Sequence, residues 1–366
     1  MLPSRSSMEE KKGYLRRFWQ RKEKGPVWYI GSPGEALLIE EGTIPSFEAM
    51  LQAELRRIEN RTHILDFDVP AIRTDFGTSI FPSAFGCPLH FSKGRYPWGE
   101  PVLFDDSEKV FALKKPSVRD GLLGVVLDFT HFAAGATRET LPIKMTDLQG
   151  PMDVAYLLWE SNDFFLALFD APRAVHHLLG MVTELMIEFV HAQRSAVQGA
   201  EFIPCHLQHY LPWGEGICVS EDLLSLLSPE LYREFALPYI NILSREFGGV
   251  FIHSCGNFVH NLEVLLEIEN LKGINFGATE TPFEEVVGKL GNRVVLSPHV
   301  GLNKDVVFES VFHYLTHLER WGNNVAGLYV LVDTTNSLLG HDMAWNGDEL
   351  EKIYRIFARW SEQDGE

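Results

Sequence analysis

The feature that most constrains this chain is an alternation in its second half, where short apolar runs are each followed by a longer amphipathic stretch. Residues 202–210 ("FIPCHLQHY") read as a strand end entering a loop. Residues 228–248 ("SPELYREFALPYINILSREFG") read as a helix with Ser228 as N-cap, Pro229 in its first turn and Gly248 just past its end. "GVFIHSCG" then pairs with "NLEVLLEIENL", "KGINFGA" with "PFEEVVGKLG", "NRVVLSPHVG" with "KDVVFESVFHYLTHLERWG", and "GLYVLVDTT" with "GDELEKIYRIFARW", making five consecutive strand-then-helix units. Such units build a parallel sheet, because a parallel strand can return only through a crossover, usually a helix.

Upstream, residues 26–33, 62–71 and 141–151 are further strand candidates, and 170–196 is a long helix after them. No Gly-rich phosphate fingerprint follows the first strand, so the expectation is an α/β fold closed as a single (β/α)8 TIM barrel rather than an open nucleotide-binding sheet. Residues 72–140 do not read as a simple unit and are expected to be insertions over the barrel mouth. The expected organisation is a basic N-terminal helical extension over residues 1–25 and a barrel domain over 26–362.

Charge narrows the function classes. With 32 basic and 50 acidic residues the formal net charge is −18, which argues against nucleic acid and anionic membranes as partners, since both need clustered Lys and Arg. The first 25 residues are the local exception, with eight Lys or Arg against Glu9, Glu10 and Glu23, and are expected to form a solvated helix. No apolar run has signal-peptide or membrane-spanning character, so the expected location is cytoplasmic. Four scattered cysteines, Cys87, Cys205, Cys218 and Cys255, are too few for a disulfide framework in a chain of this length.

In a barrel of this kind, chemistry sits at the C-terminal ends of the strands. Those ends offer Asp147 with Gln149, His206 with His209, His253 with Cys255, Phe276, His299, and Asp333 with Thr334 and Thr335. His253 and Cys255 stand two apart on a strand and therefore face the same way, so an imidazole and a thiolate can meet one zinc ion; a buried strand pair is the alternative. A catalytic zinc site needs a third protein ligand, for which Asp333 and then His299 are the candidates. Asp147 could bind substrate or cap the helix that follows. The loop 205–216 could line a pocket with Trp213 and Glu215 or pack on itself, while Asp66, Asp68, Arg73 and Asp75 suggest an ion-paired loop. Nucleophile-elbow, HExxH, Walker and paired CxxC sequences are absent, which removes those hydrolase, NTPase and zinc-ribbon classes.

"MTDLQGPMDVA", "SEDLLSLLSPELYREFALPYI" and "IHSCGN", in this order, resemble the uroporphyrinogen decarboxylase superfamily over roughly residues 26–362. The resemblance implies a (β/α)8 barrel. The His-x-Cys-Gly segment looks like the branch of methylcobamide:coenzyme M methyltransferases, in which the residues matching His253 and Cys255 bind a zinc ion that activates a thiol. That branch carries another cysteine near the end of its last strand, where this chain reads "VLVDTTNSLLG", so Thr334 or Thr335 stands about where that thiolate would be, and the resemblance implies a metal site that is either altered, with Asp333 substituting, or lost. The arginine-rich segment with which the decarboxylase branch receives a polycarboxylate is missing; "YIGSPGEALLIEEG" occupies that part of the chain.

The expectation is therefore a zinc-dependent methyltransferase-like enzyme taking a methyl group from a methylcobamide. Asp147, His209 and Asp333 are its candidate catalytic residues, and His253, Cys255 and Asp333 or His299 its metal ligands. Implied partners are a corrinoid protein, a small-molecule substrate and a second copy of the chain in a homodimer. The alternatives are a metal-free decarboxylase or lyase acting on a tetrapyrrole or another acid, and a corrinoid or tetrapyrrole binding protein without catalysis.

Overall fold

In the computed structural model, which describes residues 7–23, 25–31, 42–300, 307–322, 325–332 and 345–363, the apolar runs become short, largely buried strands. In chain order these are β1 (Val27–Ile30), the antiparallel pair β2 (Leu89–His90) and β3 (Trp98–Gly99), β4 (Ile143–Lys144), β5 (Phe202–Ile203) and β6 (Ile217–Ser220). β7 (Val250–Ser254), β8 (Leu271–Gly277), β9 (Val295–His299) and β10 (Tyr329–Val332) complete the set. β6, β7, β8 and β9 pair in parallel in that order, and β1 pairs with β10. The bridge Leu296↔Leu328 joins β9 to β10, Ile72↔Ile143 leads into β4, β4 pairs with β5, and Gln149↔Ser220 connects the far end of β4 to β6. Phe67 donates its backbone N–H to Trp28 O at 3.0 Å, which closes the ring beside β1. The fold is a TIM barrel, as the strand count implied.

Two strand assignments change. Residues 62–71 are irregular because their polar groups are spent on a buried ion cluster, in which Arg61 meets Asp66 at 2.6 Å and Asp68 at 3.2 Å and lies over the Tyr29 ring. The second pair in that loop is Arg73 with Asp75, at 2.8 Å. Conversely, "ICVS" is a full barrel strand, β6, reached from β5 through the loop 204–216 without an intervening helix. That loop runs to the N-terminal end of β6, so Trp213 packs against Phe202 and Phe247 and Glu215 meets Gln20 and Lys272 at the closed end of the barrel. Neither lines the mouth.

The helices follow the sequence pattern more closely. Pro172–Ala196 and Pro151–Leu158 match the expected segments. The helix capped by Ser228 and Gly248 is interrupted by a π-turn over Tyr232–Ala236, just before Pro238. Proline lacks an N–H and clashes with the preceding turn, and widening that turn accommodates it. The insertion supplies a helix Gly121–Ala136 and the β2–β3 hairpin, whose turn residue Tyr96 donates to Asp75 Oδ2 at 2.6 Å.

The N-terminal extension is not simply solvated. Helix Met8–Trp19 shows Arg16 and Arg17 on its outer side but buries Leu15, Phe18 and Trp19 completely or nearly so. Trp19 donates its indole N–H to Tyr210 O at 2.7 Å and packs against Phe251, while Phe18 rests beside Gly327 at the entry to β10. The helix therefore plugs the end of the barrel opposite the mouth. Among the described residues no helix is long and apolar enough to cross a membrane.

Candidate metal centre

The site forms where β6 and β7 end side by side. Ser220 and His253 are in register across the pair, and two residues further along each chain lie Asp222 and Cys255. Gly256 turns the chain back immediately after the thiol with φ near +82°, and a Cβ there would sit 2.9 Å from Ser225, so only glycine fits the turn without strain. The return brings Cys255 N–H to 2.9 Å from Asp222 Oδ1. Asp222 is fixed from behind by Asp153, whose two carboxylate oxygens accept the backbone N–H groups of Asp222 and Leu223 at 2.7 and 2.9 Å.

One ligand atom each from Asp222, His253 and Cys255 then lies within 4.8 Å of the other two, and His253 Nε2 is 3.4 Å from Cys255 Sγ. A carboxylate, an imidazole and a thiol converging at a barrel mouth match the donor types zinc takes in open, three-ligand sites. Cys255 is exposed, but partial shielding of its thiol from water, with the carboxylates of Asp222 and Glu280 nearby, pushes its pKa up to about 12. Without a cation this thiol stays protonated at neutral pH, and a bound divalent ion is what would reverse that preference.

The third-ligand position thus has a candidate that the sequence reading did not contain. Asp333, with Thr334 and Thr335, lies outside the described residues. His299 lies over His253, with ring centroids 5.9 Å apart at 27°, and its Nδ1 is buried with no hydrogen-bond partner among the described residues. Burial and the neighbouring His253 pull its pKa down to about 3, so His299 is a neutral imidazole.

Beside this trio lies a second group. Gln149 donates to Asp147 Oδ1 at 3.0 Å, and His206 Nε2 stands 3.5 Å from the same oxygen and 3.2 Å from Ser220 Oγ. Burial, with Asp75 close by, raises the Asp147 pKa to about 6, while burial holds His206 near 3. Asp147 is thus a carboxylate poised to exchange a proton near neutrality. His209 is placed differently. It is fully buried among Trp19, Phe251 and Tyr329, and its Nε2 is 2.6 Å from Ser297 Oγ, one layer below the mouth.

A family model described as uroporphyrinogen decarboxylase (URO-D) matches residues 26–297 of the chain. Among curated proteins, the uroporphyrinogen decarboxylase of Xanthomonas campestris pv. campestris (strain B100) is 40% identical over 172 residues, covering 45% of this chain and 43% of that protein. The one from Xylella fastidiosa (strain Temecula1 / ATCC 700964) is 29% identical over 174 residues, 46% of this chain and 44% of that protein. The matched region therefore spans less than half of either relative. Among solved structures, a methyltransferase from Methanosarcina mazei superposes with a TM-score of 0.65 over 98% of both chains at 15% identity, a likeness of fold.

Proposed function

Because the chain belongs to the uroporphyrinogen decarboxylase family, we propose that it is a zinc-dependent methyltransferase-like enzyme that moves a methyl group from a methylated corrinoid, carried by a partner protein, to a thiol. The observation that carries this reading is the convergence of Asp222, His253 and Cys255 at the mouth. His253 would offer Nε2, Cys255 its sulfur and Asp222 a carboxylate oxygen, leaving a position open for the acceptor. A zinc ion there supplies positive charge that keeps a thiol in its nucleophilic form near neutral pH.

The chain's own groups then have distinct tasks. The acceptor must lose its proton before its sulfur bonds to the methyl carbon and the donor's cobalt–carbon bond breaks, with the bonding electron pair staying on the donor. Asp147, with a pKa near 6, is suited to take that proton, and Gln149 and His206 hold its carboxylate in place. Asp153 and Gly256 fix the two ends of the Asp222–Cys255 contact. The name of the Methanosarcina mazei fold neighbour agrees with this reading.

The names of the curated relatives favour a second reading, decarboxylation of a tetrapyrrole or another acid with Asp147 facing developing positive charge. A polycarboxylate needs several cations, and Arg73, the arginine next to Asp75 in this region, is already paired with it. The deciding measurement is metal content of the purified protein beside its Cys255→Ala variant, followed by thiol methylation from methylcobalamin. About one zinc per chain, lost in the variant, with methyl transfer that follows the metal, is the expected result. Absence of bound zinc in protein prepared without chelators, together with CO2 release from a porphyrinogen, would replace the methyltransferase reading with the decarboxylase one.

A further inference from the structure

Five polar side chains form a single rung across the barrel interior. Gln149 is bridged to Ser220, Ser220 is in register with His253, His253 with Asn275, and Asn275 with Ser297. Parallel strands buried on both faces are normally filled with apolar residues, so a polar residue from each of several neighbouring strands in one layer calls for a chemical reason. Asn275 is 1% exposed and Ser297 is fully buried.

The hydrogen bonds give that layer a direction. Ser297 O is a backbone carbonyl and can only accept, so the Asn275 group facing it at 2.7 Å must be the amide nitrogen. The same nitrogen reaches Ser297 Oγ at 3.2 Å, and Ser297 Oγ is held in turn by His209 Nε2 at 2.6 Å. The amide cannot flip without setting two carbonyl oxygens against each other. Asn275 Oδ1 therefore faces His253 Nδ1 at 2.6 Å, and because an amide oxygen can only accept, Nδ1 must carry the proton. Neutral imidazole then has its lone pair on Nε2, the atom that faces Cys255 Sγ.

We infer that Asn275 is a positioning residue that locks His253 in its Nδ1–H tautomer and so presents the Nε2 lone pair to the Asp222–Cys255 side of the mouth; the use of that lone pair for zinc rests on the function proposed above. In water the Nε2–H form of histidine is the commoner neutral tautomer, and it would turn a proton toward the thiol. Outer hydrogen bonds of this kind orient metal-binding histidines and are worth about 10- to 100-fold in metal affinity. Here the outer group is a neutral amide, itself clamped by Ser297 and His209, rather than a carboxylate.

The test reads the tautomer directly and needs no metal. Imidazole 15N shifts of His253, assigned with a His253→Gln variant, are recorded on the full-length, metal-free protein at a pH where the ring is neutral. The wild type is expected to show protonated Nδ1 and bare Nε2. Asn275→Val, an apolar residue that suits a buried strand, shifts His253 toward Nε2–H and lowers zinc affinity about 10- to 100-fold by chelator competition. The wild-type tautomer is read without any change at Asn275, so an Nε2–H signal there overturns the inference by itself, as does an unchanged tautomer in Asn275→Val. An Nδ1–H wild type that binds no zinc leaves the role of Asn275 standing and rejects the zinc chemistry; zinc bound by an Nε2–H His253 does the opposite.

Discussion

Asp222 and Cys255 are held together by the backbone, since the Cys255 amide N–H donates to Asp222 Oδ1 at 2.9 Å, and this contact brings thiol, imidazole and carboxylate to one point. It separates two tasks of the carboxylate, organising the loop and binding a cation. Asp222→Asn keeps an oxygen for the Cys255 N–H but loses the charge, so it should preserve the loop and bind zinc at least about 100-fold more weakly, more than an outer hydrogen bond is worth. Chelator competition with zinc measures this. Wild-type zinc affinity in the Asp222→Asn variant would remove Asp222 from the ligand set.

The buried face of the N-terminal helix sets the expected result of truncating Trp19. Trp19→Ala removes an aromatic side chain from beneath the barrel and leaves Tyr210 O without its indole donor. Losses of about 3–5 kcal/mol accompany such large-to-small changes in a core, and urea denaturation should show a loss in that range. A change below about 0.5 kcal/mol would mean that the helix is a surface appendage.

The two halves of the candidate metal centre were unequally legible in the sequence. His253 and Cys255 could be read because a strand has period two and Gly256 marks its exit, so the pair had to share a face. Asp222 could not, because β6 is four residues long and is reached through a loop rather than a helix, which hid it as a barrel strand and left its end off the candidate list. Asn275 and Ser297 carried a signal of another kind. Each is a polar residue inside an apolar run, "KGINFGA" and "VVLSPH", where a barrel strand favours Val or Ile. What the sequence alone withholds is the register that sets them beside His253. The N-terminal helix was misjudged because its charges are contiguous in sequence while Leu15, Phe18 and Trp19 share one face only once the helix forms.

Gly150 has a packing reason to be glycine. A Cβ added there would fall 1.6 Å from Glu221 Oε1, a buried carboxyl group between β6 and the helix Pro151–Leu158. Gly150→Ala should therefore cost about 1–3 kcal/mol by overpacking, and adding Glu221→Ala should recover most of it, because the second change removes the atoms the first one strikes. Denaturation of the two single variants and the double variant measures the coupling. Strictly additive losses would show that the two residues do not meet.

Asp147 connects the site to pH through stability as well as chemistry. Burial and Asp75 raise its folded pKa from 3.8 to about 6, so the folded protein holds this proton more tightly than the unfolded chain does. The stabilising contribution of the protonated form is complete below about pH 4 and is lost as pH rises through about 6. Above that, the ionised carboxylate is a cost of folding. An asparagine side chain resembles the protonated acid in shape and cannot ionise, so Asp147→Asn should stabilise the protein by about 1–3 kcal/mol at pH 8 and by close to nothing at pH 4. Thermal melts of both proteins across this range test the sign. The same substitution removes the proposed proton acceptor, so methyl transfer to a thiol should fall about 100-fold or more at pH 7 while zinc content stays unchanged. Greater stability with lost turnover would mark Asp147 as a group kept for chemistry at the expense of stability, whereas loss of stability at pH 8 would show that its carboxylate is ionised and paired in the folded protein.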